Sequence, residues 1–77
     1  MSLAEAVTLR IQALMKEKNF SQYDFYTKGG IAKSTVSQVL NRTRENVAVK
    51  TVYEMVTTMG VSLSEFFNDP IFDEISD

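Results

Sequence analysis

The chain has no cysteine and no histidine. That excludes disulfides, thiolate or imidazole metal sites, and any Cys–His or Ser–His nucleophile pair. No apolar run approaches the roughly 18–20 residues that a membrane span needs. The chain does not open on a basic segment followed by an apolar core, so no secretory signal is expected, and the lack of cysteine suits a cytoplasmic location. Proline is nearly absent too: Pro70 stands alone, where it ends a helical pattern that it cannot continue. The last absence is of one sign of charge, since no base follows Lys50.

What is present is 77 residues, enough for one domain near the lower limit for a core without staples. The formal charge is −2, which by itself argues against a polyanionic partner. Division changes that argument. Residues 1–50 hold all eight bases (Arg10, Lys16, Lys18, Lys28, Lys33, Arg42, Arg44 and Lys50) against four acids, a balance of +4. Residues 51–77 hold six acids and no base, −6. A nucleic acid responds to the local field at the face it meets, screened over about 8–10 Å in physiological salt. A polarised molecule can therefore bind DNA despite a pI near 5.0, though with weak non-specific affinity.

Periodicity reads as five helices and an all-α fold. Leu3, Val7, Ile11, Leu14 and Met15 recur at steps of three and four, with Arg10, Lys16, Glu17 and Lys18 off the stripe. Asn19 ends that helix in a residue that tolerates left-handed geometry. Ser21 caps the next helix, and Asp24 three residues on completes a variant capping box. Val49, Val52, Tyr53, Val56 and Met59 mark a fourth helical face. Ser62 and Glu65 open a short fifth helix, with Leu63, Phe66 and Phe67 as anchors, which Asn68-Asp69-Pro70 closes.

The stretch Gln22–Asn41 carries the functional argument. A helix from Gln22 to Lys28 meets a second from Lys33 to Leu40 across Gly29-Gly30, with Ile31 plugging the corner. Val36, Val39 and Leu40 share one side of the second helix, while Lys33, Ser34, Thr35, Ser37 and Gln38 lie elsewhere. A short helix rich in small hydrogen-bonding side chains, held to another by a glycine turn, is what a helix-turn-helix needs. Its second helix lies in the major groove, so Lys33, Ser34, Thr35, Ser37 and Gln38 are the base-contacting candidates. Gln38 suits adenine, Lys33 suits guanine acceptors, and the hydroxyls can serve bases or phosphates.

With Gln22 after Ser21, Gly30 eight residues later, Val36 and Val39 inside, and Leu40-Asn41 at the close, residues 7–67 resemble the phage repressor and Cro class of helix-turn-helix regulators. Asn46, Thr51, Met59-Gly60-Val61 and residues 62–67 match the family's continuation. The resemblance implies a five-helix bundle of the lambda-repressor type over residues 1–70, followed by an acidic and apolar tail over 71–77. It also implies a phosphate contact for Gln22. Asn41, Arg42 and Arg44 follow the recognition helix and are expected along the duplex backbone. Arg10 and Lys28 read as ordinary solvated charge.

Four departures stand out. Ala32 replaces a capping Ser, at a loss of about 1 kcal/mol that Ser34 or Thr35 could offset. Arg42 stands where relatives have Gly, leaving Asn41 to take the left-handed cap, and Val47 stands where they have Pro. Tyr26 stands where relatives have a small Ala, so either the helix crossing opens or the ring turns toward solvent beside Tyr23.

The tail sets Ile71, Phe72 and Ile75 among acids, to pack on the first helix or to form a subunit interface. The leading expectation is a sequence-specific regulator of double-stranded DNA, a repressor acting as a homodimer without catalysis, cofactor, metal or membrane. The alternative is an antitoxin or other interaction module that holds a partner protein through its acidic C-terminal part.

Overall fold

The computed structural model describes residues 1–41 and 46–76. Among the described residues five α-helices run in order: α1 Leu3–Lys18, α2 Gln22–Gly29, α3 Lys33–Leu40, α4 Val49–Thr58 and α5 Leu63–Phe67. A 3₁₀ helix over Pro70–Glu74 follows. Local chemistry sets most of these ends. The Ser2 hydroxyl accepts from the Glu5 N–H at 3.1 Å to start α1. Asn19 ends it at φ 54°, and the Phe20 N–H donates to the Met15 carbonyl at 2.8 Å, the long bond of a Schellman end. Ser62 accepts from the Glu65 N–H to start α5.

The core joins all five helices. Ile11, Phe25, Val36, Met55, Val56 and Phe66 are the largest side chains fully buried in it. Two expected stripes hold in the main and differ at single positions. On α1, Leu3 is 48% exposed and Ala4 takes its place inside, with Val7, Thr8, Ile11 and Leu14. On α4, Val49 and Tyr53 are 66% and 53% exposed, and Met55 is buried with Val52, Val56 and Met59. The reason is geometric: steps of three and four generate two overlapping faces on α4, and only packing selects between them. Thr8, a buried polar residue, lies with its hydroxyl 2.7 Å from the Val39 carbonyl, to which it donates, and so ties α1 to the end of α3.

Arg10 is not ordinary solvated charge. Its Nε donates to the Phe66 carbonyl at 2.9 Å and its Nη2 to the Glu65 carbonyl at 3.1 Å. Its Nη1 lies 3.3 Å from Asp69 Oδ2, with the side chain only 15% exposed. A five-residue helix such as α5 cannot hold itself together, and this guanidinium satisfies its last carbonyls. Asp69 serves both neighbours, since Oδ1 accepts from the Ile71 N–H at 2.9 Å and starts the 3₁₀ helix. The tail folds back: Phe72 packs on the core with its ring 5.6 Å from Phe66, and the Ser76 N–H donates to the Met1 carbonyl at 3.0 Å. Phe67, expected as an anchor, is part-exposed against Phe66 and Phe72.

Arg10→Met keeps the aliphatic stem and removes all three polar contacts. The urea midpoint should fall by the equivalent of about 2 kcal/mol at unchanged m-value. A midpoint equal to wild type would reduce Arg10 to the near-zero contribution of an exposed ion pair.

Candidate nucleic-acid interface

Helix α2 is fixed at both ends. At its start the Ser21 N–H donates to Asp24 Oδ2 at 2.8 Å, while the Asp24 N–H donates to Ser21 Oγ at 3.3 Å, the full reciprocal box. The Ser21 backbone bond, then the Ser21 hydroxyl and Lys28 (Nζ 3.7 Å from Oδ1), hold the Asp24 carboxyl below its ordinary value near 3.8 against a desolvation effect that raises it. Lys28 also lies over the Phe20 ring at 5.6 Å. Its charge is thus engaged on α2's own surface.

At the other end Gly30 takes φ 63°, a left-handed conformation that costs an L side chain roughly 1–2 kcal/mol. Its N–H donates to the Tyr26 carbonyl, the Ile31 N–H donates to the Phe25 carbonyl, both at 3.2 Å, and Ile31 is driven inside. Gly29 is helical and serves a different need. A Cβ there would overlap the Thr58 hydroxyl of α4.

Helix α3 leaves this corner with Ala32 as its N-cap and no side-chain cap bond, so neither Ser34 nor Thr35 replaces the missing Ser. Lys33 and Ser34 are exposed; Thr35, Ser37 and Gln38 are half-buried; Val36, Val39 and Leu40 face the core. Thr35 and Gln38 open on one groove of about 120 Å³ with Asn46, Val47, Ala48 and Thr51. Asn46 and Thr51 had no assigned role from sequence, because what aligns them with α3 is the return of the chain into α4.

Asn41 is exposed but not left-handed. It has φ −97° and ψ 0°, and its Nδ2 donates to Ser37 Oγ at 2.9 Å. This side-chain bond gives the helix end a partner that does not require positive φ. The Ser37 hydroxyl keeps its own proton to donate. Gln22 is exposed at the first position of α2. Arg42 and Arg44 lie outside the described residues.

Tyr26 takes a position between the two expected outcomes. Its ring is half-buried against the core, with the Tyr23 ring edge-on at 6.4 Å and 81°, and with Lys33 Nζ 5.6 Å above its centroid. A cation in the first turn of a helix opposes the helix dipole by about 0.3–1 kcal/mol. An exposed cation–π contact returns about 0.5–1 kcal/mol, so the ring offsets that cost. The signal in the sequence was Tyr26 itself, an outsized residue beside the turn.

Residues 11–66 match the family model described as Helix-turn-helix. The chain belongs to that family. It is a helix-turn-helix protein of the phage repressor and Cro class with the lambda-repressor-like fold, and its class is one of DNA-binding regulators. No curated protein and no solved structure matches the chain. Among the described residues of this helix-turn-helix protein, no helix is long and apolar enough to cross a membrane.

The Asp24 shift has a sign. A carboxyl depressed in the folded state contributes stability above its unfolded value near 4 and loses it as pH falls through the lower folded value. Asp24→Asn should therefore lower stability at pH 7 and flatten the decline between pH 5 and 2. Thermal melts across that range check this; parallel curves for variant and wild type would remove Asp24 from the acid response.

Proposed function

We propose that this helix-turn-helix protein is a sequence-specific repressor that inserts α3 into the major groove of an operator and so blocks polymerase. The observation that carries the reading is the presentation of α3. Lys33 and Ser34 stand exposed at its leading end, and Thr35 and Gln38 open on a groove that apolar and polar residues of the next segment line. Gln38 reads adenine through two hydrogen bonds, Lys33 reads guanine acceptors, and Ser34, Thr35 and Ser37 supply hydroxyls. Gln22, Asn41, Arg42 and Arg44 hold the phosphate backbone and fix register without reading sequence. Two copies on a two-fold symmetric operator, with half-sites about one helical turn apart, supply the affinity that one short helix lacks. No catalysis or cofactor enters this mechanism, and it operates in the cytoplasm. The protein-partner reading relied on the tail. Its acids Asp73 and Glu74 are exposed, while Phe72 packs on the core and is withdrawn from any subunit interface built on the tail.

Selection from a pool of randomised duplexes tests the proposal directly and yields the operator. On that operator, Gln38→Ala should relax preference at one base pair by about 1–3 kcal/mol. Arg44→Ala should weaken all duplexes alike and lower the salt slope by about one. Failure of wild type to enrich any sequence overturns sequence-specific recognition, and equal losses by both variants on every duplex overturn the division of roles.

A further inference from the structure

Lys33 and Tyr26 belong to different helices, separated by the turn at Gly30, yet the lysine ammonium rests on the tyrosine ring. We propose that Tyr26 is a positioning residue: its ring face holds the Lys33 ammonium at the leading end of α3 in the free protein, and the Lys33 contact to DNA depends on that hold. The DNA half rests on the regulator reading above; the hold itself does not.

Three observations support it. Lys33 Nζ lies 5.6 Å from the Tyr26 ring centroid, within the range of an attractive cation–π contact. The ring is fixed from two sides, by packing against the core and by the Tyr23 edge at 6.4 Å. Arg10 has the Asp69 carboxylate beside it, and Lys28 has that of Asp24 as well as the Phe20 ring, whereas Lys33 rests on the Tyr26 ring. The distinction matters for a polyanionic partner. A carboxylate competes with phosphate or a guanine acceptor for the ammonium. A ring face restrains one side of it and leaves its N–H groups to donate outward. A lysine otherwise samples many rotamers and loses that freedom on binding. The sequence places a bulky aromatic residue beside the turn, and this arrangement gives that residue a use.

The test combines a spectrum with a mutant cycle. In the free protein, the Lys33 Cε protons should resonate upfield of ordinary lysine values in wild type and in Tyr26→Phe, and return to ordinary values in Tyr26→Leu. On the selected duplex, Tyr26→Leu should weaken binding about two- to fivefold and do so far less in a Lys33→Met background, whereas Tyr26→Phe should retain the coupling. Ordinary Lys33 shifts in wild type overturn the hold even if DNA binds. Additive losses in the cycle, or tighter binding by Tyr26→Leu, overturn the dependence. Wild type that binds no duplex, with the upfield shift present, overturns the regulator reading and the DNA half and leaves the hold standing.

Discussion

The left-handed turn at Gly30 is the constraint on which the rest of the molecule depends. Two backbone bonds, from the Gly30 and Ile31 N–H groups to the Tyr26 and Phe25 carbonyls, close α2 and reverse the chain within three residues. Closing it there buries Ile31 and points Val36, Val39 and Leu40 into the same core that holds Phe25. The polar residues of α3 are then left outside because the apolar ones are spoken for. Gly29 adds a second restriction of another kind, since the close approach of α2 to α4 at Thr58 leaves no room for a Cβ. One glycine provides a backbone angle and its neighbour provides space.

Much of this was legible from local sequence, and the physical reason is range. The Ser21–Asp24 box, the left-handed Asn19 and the Gly30 turn each depend on residues within one helical turn of themselves. Asn41 looked equally local, but its amide bonds Ser37 and its backbone stays right-handed, so a side-chain option decided between two allowed ends. Apolar stripes were legible except at a few members. Leu3 against Ala4, and Val49 and Tyr53 against Met55, differ by a small rotation of the helix that no propensity can fix. Arg10 was illegible for the opposite reason: its partners, Glu65, Phe66 and Asp69, lie far along the chain.

The candidate site divides the same way. That Lys33, Ser34, Thr35, Ser37 and Gln38 lie off the apolar face of α3 follows from the 3.6-residue repeat alone. That Thr35 and Gln38 share a groove with Asn46 and Thr51 does not, because the start of α4 is brought there by tertiary packing. Nor does the contact of Lys33 with Tyr26, which crosses the turn.

Electrostatics then shapes what kind of DNA binding the proposed regulator can perform. Positive charge is confined to residues 1–50, and within that segment Arg10 is engaged inside the fold and Lys28 is paired with Asp24 at the surface of α2. Each phosphate neutralised contributes to affinity and to its salt dependence, so a face with few uncommitted cations releases few counterions. Affinity built on charge is indifferent to sequence, whereas hydrogen bonds to base edges, the role proposed for Gln38, Thr35 and the serine hydroxyls, are not. If contacts of the second kind supply most of the affinity, as the proposed mechanism requires, a protein of −2 overall charge discriminates against bulk DNA because its non-specific binding is weak.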